Sequence, residues 1–263
     1  MKRNLFLLPV MALMLCVVAC GGDDDGGASF MKTPSGVKKL KTMVREESGE
    51  VEEEWNFEYD KNGNLLSAVC EEYDDGDYYS DVYTYEWSKD GVTMSRDGEP
   101  EAYYRIVDGK IVDGEGLDES KSYSFNYDNA GYLRMYIEEY YGDYDERKKS
   151  VYTWNGGKLM KRAKSYDYDD DASVVKFTYS NKECEGFFPL IGDYTEDDDP
   201  LFYAAPWLVG SVLKSLPTRI EDGDPGDEET ISASYTFYAD GYIKSCVFRY
   251  DYGDTETYKF SWE

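Results

Sequence analysis

Trp55-Asn56-Phe57-Glu58-Tyr59-Asp60-Lys61-Asn62-Gly63-Asn64-Leu65-Leu66 carries the pattern that decides the fold. Aromatic and polar residues alternate, so Trp55, Phe57 and Tyr59 point to one side and Asn56, Glu58 and Asp60 to the other. A period of two marks a strand with one buried face, and aromatic side chains favour that setting. Lys61-Asn62-Gly63 then supplies residues that tolerate positive φ, which a tight turn needs. Leu65-Leu66 opens the next strand.

The same unit recurs along the chain. Tyr123-Ser124-Phe125-Asn126-Tyr127-Asp128-Asn129-Ala130-Gly131-Tyr132-Leu133 is a close copy. Tyr83-Thr84-Tyr85-Glu86-Trp87 before Gly91 and Tyr235-Thr236-Phe237 before Gly241 are variants. Tyr152-Thr153-Trp154, Val175-Lys176-Phe177-Thr178-Tyr179 and Tyr258-Lys259-Phe260-Ser261-Trp262 close further copies. The last aromatic falls at 59, 87, 127, 154, 179, 237 and 262, with most steps between 25 and 28 residues. The step of 40 leaves room for an extra hairpin around Tyr104–Ile111, and the step of 58 for an insertion. Repeats of this length, two strands each, are stacked hairpins of one domain. About fourteen to sixteen strands are predicted. An antiparallel meander that long must curl, close or split. The predicted fold is therefore all-β: a large antiparallel meander of hairpin repeats, curled into a roll or barrel-like sheet with a short helical insertion.

Tyr59-Asp60 through Gly63-Asn64-Leu65, and Tyr127-Asp128 through Gly131-Tyr132-Leu133, are similar to the tyrosine-aspartate repeat of Rhs-type extracellular proteins, which builds long curled sheets. Residues 35–263, with Leu216-Pro217 ending a late apolar insertion, resemble a family of uncharacterised lipoproteins from Gram-negative gut anaerobes, a domain of unknown function with a porin-like fold. That resemblance implies architecture and brings no activity, cofactor or site residues.

The N-terminus sets the expected address. Lys2-Arg3, an apolar run from Leu5 to Val18 and the small Ala19 make a secretory signal over residues 1–19. The run is too short for a spanning helix, which needs about 20 apolar residues. Val17-Val18-Ala19-Cys20 resembles the lipobox of bacterial lipoproteins. This implies cleavage before Cys20 and acylation of its thiol and amine by palmitate-type chains, with Cys20 as the lipid anchor. Several acyl chains hold durably where one binds marginally. Gly21-Gly22-Asp23-Asp24-Asp25-Gly26-Gly27 reads as a flexible tether within residues 20–34. Its acidic triplet resembles the export signal that sends lipoproteins of some gut anaerobes to the cell surface. The expected location is the outer membrane, at the cell surface or on its periplasmic face.

Composition narrows function. The chain has 55 acidic and 28 basic residues, a formal charge of −27, and loses Lys2 and Arg3 on maturation. Such a surface repels nucleic acid and anionic headgroups. The 27 Tyr, 11 Phe and 5 Trp supply a core that a disordered acidic chain lacks. There is no histidine, so the Ser-His and Cys-His pairs and the commonest metal ligand are absent. Cys70, Cys184 and Cys246 show no C-x-x-C spacing and read as buried thiols. A lipid-spanning barrel is the rival reading. It would need a lipid-facing apolar band, which strands this rich in Tyr, at a mean hydropathy of −0.68, do not offer.

Residues 184–217 break the repeat. Asp199 is placed to cap a helix with Pro200 at its first position, and Pro206 to kink or restart it. Trp207, Leu208, Ser211, Val212, Ser215 and Leu216 share one face at helical spacing. A plug closing one end of the roll is the preferred reading, an exposed docking element the alternative. Acidic clusters at 71–77, 167–171 and 221–228 are expected in solvated loops, without a calcium-loop pattern.

These features describe a non-catalytic membrane-anchored lipoprotein outside the cytoplasm. Its expected partners are the bilayer through Cys20 and a glycan or envelope protein. The alternatives are a structural accessory subunit of an envelope complex and a polysaccharide-cleaving enzyme, which needs only two placed carboxylates.

Overall fold

The computed structural model describes residues 36–74, 77–117, 120–141, 146–167, 172–190, 199–224 and 227–263. The signal segment, Cys20 and the tether lie outside these, as do 191–198 of the insertion and parts of the acidic clusters.

Sixteen strands form one closed antiparallel meander barrel. In chain order they are β1 Leu40–Glu47, β2 Glu50–Tyr59, β3 Leu65–Asp74, β4 Asp77–Trp87, β5 Gly91–Arg96 and β6 Glu99–Val107. Then come β7 Lys110–Gly116, β8 Lys121–Tyr127, β9 Leu133–Tyr140, β10 Glu146–Asn155 and β11 Lys158–Tyr166. The last are β12 Ser173–Glu183, β13 Ser215–Asp224, β14 Asp227–Phe237, β15 Ile243–Tyr250 and β16 Thr255–Trp262. β1 pairs with β16, with Met43 opposite Phe260, so the sheet has no free edge. The expected extra hairpin is β6–β7.

Alternation sorts the two faces. Trp55, Phe57, Tyr83, Tyr85, Tyr123, Phe125 and Phe177 are buried inside the barrel. Facing out are Asn56 and Glu58 on β2, Thr84 and Glu86 on β4, Lys176 and Thr178 on β12 and Lys259 on β16. Ion pairs lie across this outer face, such as Arg147–Glu139 at 3.2 Å and Arg219–Glu221 at 3.1 Å. The wall is apolar within and polar without, the reverse of a barrel that meets lipid.

Turns between even and odd strands gather at one end. Asp60 shapes the first: its Oδ1 accepts from the Asn62 and Asn64 amides at 2.7 and 2.9 Å, and Gly63 takes φ 88°. Asp128 does the same for Ala130 and Tyr132 at 2.9 and 3.0 Å. At this end the closing aromatics bond backwards. Tyr59 donates to the Leu40 carbonyl at 2.8 Å, Trp87 to Leu65 at 2.7 Å and Trp154 to Leu133 at 2.7 Å. Tyr179 donates to Leu159 at 2.6 Å, Trp262 to Ile243 at 2.8 Å, and Tyr127 to Ile111. Phe237 has no donor, and Tyr235 serves instead, to Pro217 at 2.7 Å. A register shift precedes Tyr59, Tyr127, Trp154 and Tyr179 in their pairing with the next strand. Such bulges re-aim a side chain.

The insertion fills the barrel behind this ring. Asp199 caps a short helix, α1 Pro200–Ala204, by accepting the Leu201 amide at 2.9 Å, as expected. Pro206 restarts the chain as a 3₁₀ turn, Pro206–Val209. The expected single helical face from Trp207 to Leu216 does not form. Gly210 turns left-handed at φ 62° and ends the helical path, and Ser215 already belongs to β13. A Cβ on Gly210 would lie 2.4 Å from the Gly131 carbonyl oxygen, so the plug meets the β8–β9 turn through a bare backbone. Leu201, Phe202, Ala204, Leu208 and Val209 are fully buried. Phe202 packs on Tyr104 and Phe125, Tyr203 on Trp55, Phe187 on Trp262 and Phe188 on Tyr235. The element therefore touches the wall on several sides, and the preferred plug reading holds.

The acidic clusters are only partly loops. Glu71 and Glu72 extend β3, and Glu221 and Asp222 extend β13, because cross-strand partners hold them in the ladder: Ser80 and Tyr79 for the first pair, Thr230 and Glu229 for the second.

Candidate functional site

The end opposite the plug's turn ring is where the barrel interior opens. The hairpins β1–β2, β3–β4, β5–β6, β7–β8 and β15–β16 turn there. Exposed tyrosines rim it: Tyr73, Tyr78, Tyr79, Tyr140, Tyr141 and Tyr252, the last 65 % exposed. Just inside, polar side chains replace the aromatic core. Arg45 reaches Glu53 at 3.0 Å, and Lys148 reaches Glu138 at 3.3 Å.

A cavity of about 400 Å³ runs from this rim to the plug. Its walls come from strands β4, β5, β6 and β8. The buried Tyr83, Tyr104 and Tyr123 back it, with Met94 and Ala102, and Arg96, Glu101 and Lys121 bring charge. Asp199, at the start of the plug, also lines it. The Tyr104 ring fits because Gly114 lies beside it: a Cβ there would stand 2.7 Å from the ring. Tyr104 in turn packs on Tyr123, with ring centroids 5.6 Å apart.

Asp199 is fixed on both sides. Its Oδ1 accepts the Tyr85 hydroxyl at 2.6 Å and the Leu201 amide at 2.9 Å. Its Oδ2 is buried, on the side where Tyr104 contacts the carboxylate. Burial raises the carboxyl pKa above its ordinary value, and the Tyr85, Leu201 and Tyr104 contacts only partly offset this. Arg96 is tied to Asp81 at 2.6 Å and lies 5.6 Å from the Tyr83 ring centre. The Lys121 ammonium is 5.6 Å from the Tyr123 ring centre and 5.9 Å from that of Tyr140.

Cys20 lies outside the described residues. Cys70, Cys184 and Cys246 are buried thiols outside any disulfide, as read from their spacing. Phe202 and Leu208 are fully buried, and Trp207 is half-buried against Phe187. No group of three or more carboxylate or thiol side chains suited to a metal occurs among the described residues. The sequence reading took Asp199 only as a cap and did not single out Arg96, Glu101 or Lys121. A usable signal was present, since Arg96 follows Met94, and Lys121 precedes Tyr123 and Phe125, in the inward phase of their strands.

A closed, plugged, sixteen-stranded meander places the chain in the porin-like fold class. No protein-family model and no curated protein matches the sequence. Among solved structures, a porin-like protein from Bacteroides uniformis superposes with a TM-score of 0.65 at 15 % identity, covering 86 % of this chain and 96 % of that one. A porin-like protein from Bacteroides vulgatus gives 0.61 at 14 % identity, covering 86 % and 99 %. At these identities the likeness establishes the fold, which is the one expected from the family resemblance, and nothing of the activity.

Proposed function

We propose that this chain is a non-catalytic lipoprotein of the outer membrane, anchored through Cys20, that holds an extracellular ligand in the open half of its barrel. The carrying observation is the cavity lined at its mouth by Arg96, Glu101 and Lys121, at the end away from residues 36–39. Lys38 and Lys39 enter the barrel at the turn-ring end, where the Lys38 amide donates to the Tyr242 hydroxyl at 2.7 Å and the Lys39 amide to the Glu263 carbonyl at 3.0 Å. A lipid on Cys20 would hold that end toward the membrane and leave the cavity and its tyrosine rim facing outward. The polar outer wall supports an anchor of this kind, because lysine or arginine at the midplane of a bilayer costs about 2–4 kcal/mol on a barrel's lipid face. The acidic triplet Asp23-Asp24-Asp25 favours the cell surface over the periplasmic face.

Burial of Phe202 and Leu208 favours the plug and removes the argument for a partner docking on this element. A hydrolase reading is disfavoured because Asp199 is buried and engaged as a helix cap, held by Tyr85 and the Leu201 amide. Cys20→Ala tests the anchor. Labelled fatty acid should enter the wild type and not the variant, and the variant should leave the membrane fraction. A variant that still sediments, beside an unlabelled wild type, would overturn the proposal.

A further inference from the structure

The outer wall is not uniform. Around β9 to β12 the register sets four apolar side chains in one row: Met135 stands opposite Val151, Val151 opposite Ala163, and Ala163 opposite Val174. None of the four is buried, and Val151 is exposed. Arg134 adjoins Met135, and Lys149 and Lys161 lie two residues from Val151 and Ala163 on the same face. The neighbouring carboxylate Glu139 is bound to Arg147 at 3.2 Å, and β11 contains no carboxylate at all. β2 to β4 carry the counterpart. Val69 stands opposite Val82 on the outer side, with Leu66 exposed near them. The outward charges there are Glu54, Glu58, Glu71 and Glu86, and the three strands contain no lysine or arginine. β3 and β11 are eight places apart in a ring of sixteen, so the two faces lie on opposite sides of the barrel. They also lie at one height: Val82 is five residues from Trp87 and Val151 three from Trp154, both aromatics of the turn ring.

We infer that these faces pack on each other between copies of this chain, the basic face of one against the acidic face of the next, in open side-by-side rows. A twofold pairing would set like charges against each other, so the contact runs head to tail. Faces on opposite sides of the barrel repeat such a contact without closing a ring. Complementary charge selects this match and rejects the like-charged one. The formal charge of −27 sets copies against one another, but at physiological salt charges beyond about 8 Å are screened, so the facing groups decide. Exposed ion pairs are individually weak and the apolar rows are narrow. The contact therefore suits molecules held in one plane, where tethering raises their effective concentration. The inference goes beyond the cavity reading and takes from it only the shared orientation of tethered copies, which leaves every cavity mouth uncovered.

The test is cross-linking with a short bismaleimide in cells that make the full chain. Cys70, Cys184 and Cys246 are buried, so cysteines placed on the outer wall take the reagent. Val82→Cys combined with Val151→Cys should give a ladder of dimers, trimers and longer rows. Either substitution alone should leave the chain monomeric. Lys149→Glu with Lys161→Glu, added to the double-cysteine variant, should weaken the ladder about tenfold or more. Adding Glu54→Lys with Glu58→Lys to that variant makes the faces complementary again and should restore the ladder. Unchanged melting temperatures show that the variants are folded. No ladder from the double-cysteine variant would overturn the inference. So would equal dimer yields from either single cysteine, or a ladder indifferent to charge reversal. A product joining Val151→Cys to a different protein in place of the ladder would assign the basic face to that protein and overturn the row. The lipid anchor is read separately by fatty-acid labelling, so its failure is distinguishable from the failure of the row.

Discussion

Tyr59 donates its hydroxyl to the Leu40 carbonyl across 2.8 Å, and this bond joins the two feet of the first hairpin. Equivalent bonds close six further hairpins, and only β5–β6 lacks one among the described residues. The repeat therefore ends in Tyr or Trp because the position needs a ring to bury and a donor to latch. Burial pushes the Tyr59 hydroxyl well above its ordinary pKa, which keeps the donor proton in place. Tyr59→Phe should cost about 1 kcal/mol, since it orphans one buried carbonyl and keeps the ring. Urea unfolding with an unchanged slope reads this. A loss below about 0.3 kcal/mol would show that water replaces the latch.

The plug should matter more than any single latch. Phe202 is fully buried and touches Tyr104 and Phe125 from inside the barrel. Phe202→Ala should cost about 3–5 kcal/mol. Tyr252→Ala, at a 65 % exposed position, should stay within about 0.5 kcal/mol. Equal losses at the two positions would contradict a packed plug.

Asp199 gives the barrel a pH-dependent weak point. Its folded pKa is raised by burial, so its contribution is fully present below the ordinary carboxylate range. As pH rises, the unfolded chain ionises first and stability falls until the folded group ionises as well. Asp60 runs the other way. Burial raises its pKa, but the Asn64, Asn62 and Gly63 bonds outweigh that and lower it. The comparison must therefore be made between wild type and Asp199→Asn. From pH 4 to pH 7 the difference in unfolding free energy should move steadily in favour of the variant. Parallel curves would mean that Asp199 is solvated.

The three thiols should be inert in the native state. Burial, helped by the nearby Glu53 and Glu72, pushes Cys70 far up, and burial pushes Cys184 up to about 12. The thiolate is the reactive form. Alkylation of the folded protein at neutral pH should leave Cys70, Cys184 and Cys246 unmodified, and denaturant should expose them all. Fast labelling of any one of them without denaturant would contradict the burial described.

Much of this was legible in the residues. Alternation at Trp55, Phe57 and Tyr59 assigned the inner face, the Asn-Gly and Asn-Ala-Gly turns assigned the hairpins, and the spacing of the closing aromatics anticipated both the extra β6–β7 hairpin and the insertion. Three things were not read correctly. The helical face from Trp207 to Leu216 failed because six residues cannot separate a helix from a turn followed by a strand, and Gly210 broke the path. The acidic runs at 71–72 and 221–222 were taken for loops, although cross-strand partners overrule their low strand preference. The cavity escaped because it is built from strands far apart in sequence. Arg96 and Lys121, cations in the inward phase of their strands, were the visible trace of it.

The polarity of the barrel is the claim on which anchor, orientation and cavity all depend. The most direct measurement is made on residues 21–263 expressed without the signal and Cys20, purified without detergent and mixed with phospholipid vesicles carrying a bromine or nitroxide quencher in their acyl chains. The expected result is a folded β-rich protein that stays in solution, floats with no vesicles on a density gradient and keeps its tryptophan fluorescence. Precipitation without detergent, together with vesicle insertion and quenching by the acyl-chain label, would contradict the account, because the strands themselves would then be facing lipid.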